Sequence, residues 1–211
     1  MGRMIDALAD EHDVDVVGRV TSNDAANPQT WPEADVAIDF SSPSAVASTA
    51  RALADRGISL VLGTTGWQAE EAALRRELAS SPIGVIAAPN FAIGVNVFFA
   101  IAERSAQLLV QRGFAPWIHE AHHSAKKDAP SGTALALQRL VETGGAPVDV
   151  SSTRAGHIPG THTVGFDSPA EMITLTHAAR DRSAFARGAL VAAHWIRGRR
   201  GWFSMKDLLD L

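Results

Sequence analysis

Residues 58–79, ISLVLGTTGWQAEEAALRRELA, contain the pattern that decides the fold. The apolar run at 60–62 predicts a buried strand, and the turn GTTG at 63–66 follows it directly. Helical periodicity then predicts a helix over 68–79. A strand, a turn and a helix in this order form half of a βαβ unit, so this stretch indicates a parallel sheet with helices packed against it.

The same rhythm extends from the start of the chain to about residue 91. Predicted strands lie at 14–20, 36–40, 60–62 and 85–87, predicted helices at 4–12, 44–56 and 68–79, and a surface loop at 26–32. Around the helix at 44–56, SPS at 42–44 supplies a capping hydroxyl and a proline suited to a first turn, and Gly57 ends the helix. We therefore expect an α/β, Rossmann-like domain with a parallel sheet.

Beyond residue 91 the pattern changes to long helices and alternating strands. Helices are predicted at 93–111, from 131 and at 184–197, and strands at 117–121, 161–166 and 171–177. The last two strands alternate apolar and polar residues as antiparallel strands do. We expect a second, α+β domain over 92–182 with a mixed or antiparallel sheet, while residues 183–211 return to the first domain, residues 1–91.

The composition restricts the class of protein. The 211 residues are 46% hydrophobic, and a net charge of -4 provides no general attraction for nucleic acid or an anionic membrane. The apolar stretch at 91–102 is too short for a membrane span, and the start lacks signal-peptide features. The absence of cysteine excludes disulfides and thiolate sites and fits a reducing compartment. We therefore expect a cytoplasmic protein with a small-molecule partner.

The densest group of reactive side chains is EAHHSAKKDAPSGTA at 120–134, between a predicted strand and a predicted helix. His122, His123 and Lys126 donate protons and attract anions, so we expect an acidic ligand. Lys127 is interpreted as a solvated neighbour. No metal site is expected at the two histidines, because adjacent side chains diverge and no matching carboxylate or cysteine set accompanies them.

The beginning of the helix that follows is a second candidate for ligand binding. At Ser131, Gly132 and Thr133 the first backbone N–H groups lack intrahelical partners, which makes a cradle for a carboxylate or phosphate. In the competing interpretation, Ser131 or Thr133 only caps the helix, and the basic residues form a solvated loop. Glu120 either orients an imidazole or pairs with a surface lysine, and the lysine pair is favoured.

The start of the chain is unusual for a parallel sheet, because a helix precedes the first predicted strand. Gly2, Arg3 and Met4 look like the end of a G-x-x-G-x-M-G loop, in which glycines let backbone N–H groups approach a pyrophosphate. A complete loop would need a first strand and further glycines before Met1. A start assigned too late is favoured over true loss of a central strand, which would be costly.

These residues together resemble the 4-hydroxy-tetrahydrodipicolinate reductase family. The run at 120–134 fills every fixed position of the family pattern E-x-H-H-x-x-K-x-D-x-P-S-G-T-A. Similar segments occur in the same order at 37–41 (AIDFS), 63–66 (GTTG), 88–96 (APNFAIGVN), 159–162 (PGTH) and 177–195. The resemblance covers nearly the whole chain.

The resemblance implies an enzyme of lysine and diaminopimelate synthesis that uses NADPH or NADH to reduce a small cyclic dicarboxylate. The substrate, 4-hydroxy-tetrahydrodipicolinate, loses its hydroxyl as water and becomes tetrahydrodipicolinate. His122 then matches the proton donor or acceptor, and Lys126 matches a proton donor. The matching substrate contacts are His123, Ser131, Gly132 and Thr133. The matching cofactor contacts are Gly2, Arg3, Met4, Gly63, Thr64, Thr65, Ala88, Pro89, Asn90 and Phe91.

The resemblance also assigns roles to the two domains. Residues 1–91 with 183–211 would bind the dinucleotide, and residues 92–182 would bind the substrate and form a homotetramer. Without the resemblance, a structural role fits these residues equally well: GTTG at 63–66 is also typical of an ordinary strand-to-helix turn, and Phe91 is also typical of a residue that anchors a helix in the core.

Two questions stay open at this stage. An acidic residue at position 21 would hold the ribose hydroxyls of NAD, but this position is Thr21. The preference between NADH and NADPH is therefore open. The competing function classes are another Rossmann-type oxidoreductase, and a catalytically impaired fragment that binds a cofactor or ligand.

Overall fold

The structure is a computed structural model that describes residues 1–21 and 27–211. Residue 26 of the loop predicted at 26–32, and residues 22–24 directly after Thr21, lie outside the described residues. The chain divides into two units, residues 1–93 with 183–211 and residues 94–182.

The described residues form the following helices and strands, numbered in chain order. The α-helices are α1 (Gly2–Leu8), α2 (Val46–Asp55), α3 (Glu71–Glu77), α4 (Ile93–Leu109), α5 (Gly132–Glu142), α6 (Ser183–Ile196) and α7 (Met205–Leu209). The strands are β1 (Val36–Asp39), β2 (Ser59–Leu62), β3 (Gly84–Ala87), β4 (Ala115–His122), β5 (Asp149–Arg154), β6 (Thr161–Asp167), β7 (Met172–Ala178) and β8 (Gly201–Phe203).

The first unit is a parallel sheet covered by helices on both faces. Its strand order is β1-β2-β3-β8, and every neighbouring pair is parallel. Successive side chains of a strand point to opposite faces, so Val61 of β2 packs with α1 and α6 while Leu60 and Leu62 pack with α2 and α3. Burial on both faces explains the continuous apolar run of β2 and confirms the predicted Rossmann-like class.

The strand predicted at 14–20 is not present. Among the described strands, β1 pairs only with β2, so residues 14–20 have no ladder with it. Val16, Val17 and Val20 are exposed, by 38% to 59%. Valine-rich composition favours a strand but cannot supply the neighbour whose N–H and C=O groups would complete one.

The second unit has a mixed sheet in the order β5-β4-β6-β7. The pairs β4·β6 and β6·β7 are antiparallel, as predicted for 161–177, and β4·β5 is parallel. One face carries Ile118 and Val164, which pack with Phe98 of α4 and Leu137 of α5. Strand β5 was not predicted, because its sequence DVSSTR is mostly polar and lacks an apolar run.

Helix α4 continues through a 3₁₀ turn to Arg112. Over Ile93–Arg112 it is long and apolar enough, by length and composition, to cross a membrane, with a mean hydropathy of 1.3. Length alone therefore does not exclude a membrane span, although the core helices of soluble proteins meet the same criterion. The buried face of α4, with Phe98, Ala102 and Ala106, packs into the core beneath β4 and β6, which favours a core helix.

Candidate functional site

The carboxyl end of β4 places Glu120 and His122 side by side. Residues two positions apart in a strand point to the same face, so both side chains reach the same surroundings. Glu120 is fully buried, and the His122 side chain is 12% exposed. Nδ1 of His122 forms a hydrogen bond with Oε2 of Glu120.

Arg154, at the end of β5, holds the carboxylate of Glu120 from the neighbouring strand. Its Nη2 donates to Oε1 at 2.7 Å and its Nη1 donates to Oε2 at 2.9 Å. The backbone N–H of Ser131 also donates to Oε1, at 3.2 Å. This bidentate, charge-assisted arrangement suits an ionised carboxylate that is shielded from water.

The prediction that Glu120 pairs with a surface lysine is therefore wrong. The carboxylate lies inside the second unit, where a long-range partner from β5 reaches it and a lysine on the surface does not. Burial alone would raise the pKa of Glu120, but the hydrogen bonds that it accepts, first of all those from Arg154, lower that pKa to about 2.

His162 of β6 lies on the other side of His122. The two ring centroids are 5.2 Å apart and the rings meet edge to face. Nε2 of His162 lies 3.1 Å from Oγ of Ser131, and that oxygen accepts a hydrogen bond from the N–H of Ala134 at 3.1 Å. Burial, and to a lesser extent the nearby His122, lower the pKa of His162 to about 4, so this imidazole is neutral at neutral pH.

The buried neutral state of His162 predicts a pH-dependent stability. The folded-state pKa lies below the unfolded value near 6.5, so the unfolded chain binds a proton first as the pH falls. The contribution to the free energy of unfolding is complete above pH 6.5 and is lost as the pH falls towards 4. From pH 7 to pH 5 the loss is on the order of 2 kcal/mol.

Urea unfolding of the unaltered chain and of His162→Gln at pH 7 and pH 5 measures the contribution of His162 to the free energy of unfolding. Glutamine keeps a hydrogen-bonding group near Ser131 but does not titrate. The variant should lose about 2 kcal/mol less stability than the unaltered chain over this interval. An equal loss in both proteins would show that His162 is not held neutral by the fold.

The loop between β4 and α5 positions Lys126. Its Nζ lies 2.8 and 2.9 Å from the two carboxylate oxygens of Asp128. The backbone carbonyl of Asp128 accepts a hydrogen bond from Nη2 of Arg154 at 2.6 Å. The guanidinium that holds Glu120 therefore also holds the loop that carries Lys126. Lys127 is exposed, as expected of a solvated neighbour.

The start of α5 combines a cap with exposed backbone. Ser131 is the N-cap, and its side chain is buried, so the predicted capping role is present. Gly132 is exposed, with nothing within 4 Å of the position that a Cβ would occupy. Thr133 and His123 are half-buried. The first turn of α5 therefore leaves room at Gly132 for an anionic ligand to approach the backbone.

Glu120, His122 and His162 also carry potential metal-ligand atoms, all within 4.8 Å of one another. Both oxygens of Glu120 already accept hydrogen bonds from Arg154, whose positive charge opposes a cation at the same place. The arrangement therefore favours a hydrogen-bonded network over a metal centre.

Sequence reasoning did not single out Arg154 or His162. His162 belongs to PGTH at 159–162, which resembled the family but had been given no role. Arg154 stands in a polar run without any local motif. Only the pairing of β4 with β5 and β6 brings these two residues to His122.

In the first unit, the turn after β2 is fixed by a buried carboxylate. Oγ1 of Thr64 donates to Oδ1 of Asp39 at 3.1 Å, and the N–H of Gly63 donates to the Asp39 carbonyl at 2.8 Å. Thr64 is buried, whereas Thr65 and Gly66 are exposed. The hydroxyl of Thr64 therefore anchors the turn, and the part open to a ligand begins at Thr65.

The segment after β3 is similarly divided. Phe91 is buried and packs edge to face on Phe40 at 6.0 Å, so the core-anchor interpretation of Phe91 is confirmed. Asn90 caps the following turn, since its Oδ1 accepts from the N–H of Ala92 at 2.8 Å. Pro89 is exposed. Ala88 and Pro89 line a small cavity of about 70 Å³ with Thr64 and Trp67.

Gly2, Arg3 and Met4 form the first turn of α1. Backbone N–H groups of Met4 and Ile5 donate to the carbonyl of Met1, at 2.9 and 3.1 Å. Nothing lies within 4 Å of the position that a Cβ on Gly2 would occupy. The first turn is therefore open on its Gly2 side.

The first unit fits a dinucleotide at the carboxyl ends of its strands. Oδ2 of Asp39, at the end of β1, is buried and has no hydrogen-bond partner among the described residues. The exposed Thr65 and Pro89 follow the ends of β2 and β3. Parallel sheets bind their ligands at this edge, and an unpaired carboxylate oxygen suits ligand hydroxyl groups.

Comparison with known proteins identifies the family. The family described as "Dihydrodipicolinate reductase, N-terminus" matches residues 1–91, and "Dihydrodipicolinate reductase, C-terminus" matches residues 94–209. The chain belongs to the dihydrodipicolinate reductase family. Both units are thus accounted for by the same family, which confirms the resemblance carried by residues 120–134.

Relatives named 4-hydroxy-tetrahydrodipicolinate reductase align over most of the chain. The protein of Stenotrophomonas maltophilia strain R551-3 is 44% identical over 180 residues, covering 85% of this chain and 74% of the relative. The protein of Christiangramia forsetii is 34% identical over 224 aligned positions, covering 100% of this chain and 94% of the relative. These relatives support the family assignment along the whole chain.

A solved structure has the same fold. It is the dipicolinate-bound dihydrodipicolinate reductase of Paenisporosarcina sp. TG-14, with a TM-score of 0.75 at 19% identity. The alignment covers 95% of this chain and 93% of that chain. At this identity the likeness shows the fold alone, a parallel sheet domain and a mixed sheet domain.

Proposed function

We propose that this chain catalyses the reduction of 4-hydroxy-tetrahydrodipicolinate to tetrahydrodipicolinate by NADPH or NADH, with loss of water. The observation that carries the proposal is the arrangement of His122, Lys126 and the open first turn of α5 around one buried network, in a chain of this family. This reaction belongs to lysine and diaminopimelate synthesis.

The ligand of the second unit is a small cyclic dicarboxylate. The free N–H groups at Gly132 and Thr133 would bind one carboxylate, assisted by the positive end of α5. His123 and Lys126 add hydrogen-bond donors, and the ammonium group of Lys126 carries the charge that suits an anion. Ser131 contributes indirectly: its hydroxyl caps α5 and is buried against Ala134 and His162, and its backbone N–H donates to Glu120.

Reduction of the ring needs one hydride and one proton. The nicotinamide cofactor supplies the hydride when it is bound. Its addition to a conjugated carbon–nitrogen system leaves negative charge, and a nearby acid that donates a proton lowers the barrier. His122 and Lys126 are the two candidates for that donor. Loss of the hydroxyl as water places one proton on the departing oxygen and removes one from an adjacent ring carbon, so the whole reaction consumes one proton. Both residues therefore have a use, since protons are accepted as well as donated.

The first unit would hold the cofactor. The segments that would contact it are the first turn of α1 with Gly2, Arg3 and Met4, the turn with Gly63, Thr64 and Thr65, and the segment with Ala88, Pro89, Asn90 and Phe91. Thr64 and Phe91 would act by shaping the backbone, since their side chains are buried. An arginine near position 21 would favour NADPH by binding its 2′-phosphate. Arg19 instead forms an ion pair with Asp6, so we propose that both NADH and NADPH are used.

A coupled assay tests the proposal. The purified chain is incubated with the preceding synthase, pyruvate and aspartate semialdehyde, and the absorbance of NADPH or NADH is followed. Loss of absorbance that depends on both the chain and the synthase is the expected result. Cofactor binding without turnover would instead support an impaired binding fragment, and turnover without the synthase would indicate another oxidoreductase.

We further propose that the chain acts as a cytoplasmic homotetramer assembled through the sheet of the second unit. Strand β7 lies at the edge of that sheet and exposes Met172 and Ile173. Exposed apolar side chains on an edge strand favour pairing with another copy. Light scattering should give four times the chain mass of 22.3 kDa, and a monomer mass would contradict the proposal.

A further inference from the structure

We infer that Glu120, held by Arg154, is a positioning residue that fixes the tautomer and orientation of His122 for proton transfer. This inference rests on the proposed function. It concerns two residues for which the resemblance gives no role: Arg154 lies outside the family pattern, and Glu120, the first residue of the pattern, is fully buried.

The hydrogen-bonding capacity of Glu120 determines the tautomer. An ionised carboxylate can only accept hydrogen bonds, and the bidentate contact with Arg154 keeps this one ionised. Nδ1 of His122 must therefore be the donor in its bond to Oε2. In the neutral imidazole the lone pair is then on Nε2, which leaves Nε2 as the atom that takes up and delivers the proton.

Glu120 also connects His122 to both substrate-binding segments. Its Oε1 accepts the N–H of Ser131, the residue that caps α5. The same Arg154 that holds the carboxylate donates to the carbonyl of Asp128, in the loop of Lys126. One carboxylate and one guanidinium thus tie together the imidazole, the loop with the second proton donor and the start of the helix.

Among the described residues, charged and titratable groups from several elements surround His122 and its two direct neighbours, Glu120 and His162. Glu120 lies on β4, Arg154 on β5 and His162 on β6, while Lys126 lies in the loop after β4. Glu120 is the member of this set that bonds to the imidazole itself. A carboxylate placed in this way can orient an imidazole without touching the substrate, as in other acid–base sites.

The test is a cycle of Glu120→Gln and His122→Gln, alone and together, in the coupled assay. A glutamine can donate to Nδ1 and so favour the wrong tautomer, so Glu120→Gln should lower kcat by at least about 100-fold with a smaller change in KM. In the His122→Gln background the same substitution should cost less than about 3-fold. Equal fold losses in both backgrounds would show that Glu120 acts on folding or binding alone, and would overturn the inference.

Glu77→Gln is the matched control. Glu77 also receives a bidentate contact from an arginine, Arg51, but on the surface of the first unit. It should change neither kcat nor the midpoint of thermal unfolding. If kcat falls as much in Glu77→Gln as in Glu120→Gln, a general effect of losing an ion pair explains the result, and the inference fails.

The tautomer can be read without any variant. The ¹⁵N shifts of the ring nitrogens of His122 in the unaltered chain, near neutral pH, should show the proton of the neutral form on Nδ1. A proton on Nε2 would overturn the inference even if Glu120→Gln does not fold. Absence of turnover in the unaltered chain would instead contradict the proposed function, while the ¹⁵N result would still decide the role of Glu120.

Discussion

The His122→Gln variant is expected to turn over the cyclic dicarboxylate at least about 100-fold more slowly than the unaltered chain, because general acid–base assistance contributes about 100- to 10,000-fold. Glutamine keeps a polar group beside Glu120 but cannot exchange a proton near neutral pH. Steady-state kinetics in the coupled assay should show the loss mainly in kcat, since His122 is paired with Glu120 and not with the helix start that would bind the carboxylate.

Lys126→Ala is expected to lower turnover by a similar factor and also to raise KM, because the ammonium group serves both as a donor and as a charge partner for an anion. Lys127→Ala is the matched control, since Lys127 is the adjacent lysine and its side chain is exposed. It should behave like the unaltered chain. Near-normal rates in both His122→Gln and Lys126→Ala would contradict the assignment of proton transfer to this loop.

The Gly188→Ala variant is expected to have a much lower free energy of unfolding than the unaltered chain. Gly188 lies in α6, and a Cβ there would stand 1.7 Å from the carbonyl oxygen of Phe91 and 2.8 Å from its carbonyl carbon. Alanine stabilises a helix by up to about 1 kcal/mol relative to glycine. The overlap with a backbone atom requires α6 or the segment at Phe91 to move, which costs about 3 kcal/mol, at the upper end of the usual range for overpacking, so the clash outweighs the helix propensity.

Gly132→Ala is the control for this stability prediction. Gly132 is also in a helix, α5, but the space around its Cβ position is open. The free energy of unfolding, measured with urea, should change by less than about 1 kcal/mol in Gly132→Ala. If Gly188→Ala proves as stable as the unaltered chain, the close approach of α6 to the segment at Phe91 is wrong.

The elements that could be predicted from sequence are those whose signal is local. The run at 60–62 is buried on both faces of its sheet and is therefore continuously apolar. The strands at 161–166 and 171–177 alternate, because their sheet in the second unit packs its helices on one face. In both cases the pattern of apolar and polar residues within the segment indicates which side chains are buried, so periodicity is enough to predict the strand.

The features that were predicted wrongly or missed have the opposite cause, since each of them depends on partners that are distant in sequence. Residues 14–20 have the composition of a strand but no described neighbour to pair with. Arg154 becomes important only because β5 pairs with β4, which brings it to Glu120 across 34 positions of sequence. The prediction that Glu120 pairs with a surface lysine was wrong because the burial of that carboxylate follows from the packing of the whole second unit, which no local pattern shows.

The site itself was predicted in part. The motif at 120–134 identified His122, Lys126 and the start of α5, because they lie within one short segment. The network behind them, Arg154 and His162, comes from two other strands. The assignment of Ser131 and Thr64 to ligand contacts is modified by the structure, since both hydroxyl groups are used within the protein.

The most direct test of the central claim is a titration of the chain with dipicolinate, monitored by the backbone ¹H–¹⁵N signals. If the open turn of α5 and the loop of Lys126 form the dicarboxylate site, the largest shifts should occur at Gly132, Thr133 and Lys126. His122→Gln should retain these shifts, because it removes proton transfer and leaves the carboxylate cradle. Shifts confined to other parts of the chain, or none at saturating dipicolinate, would contradict the account.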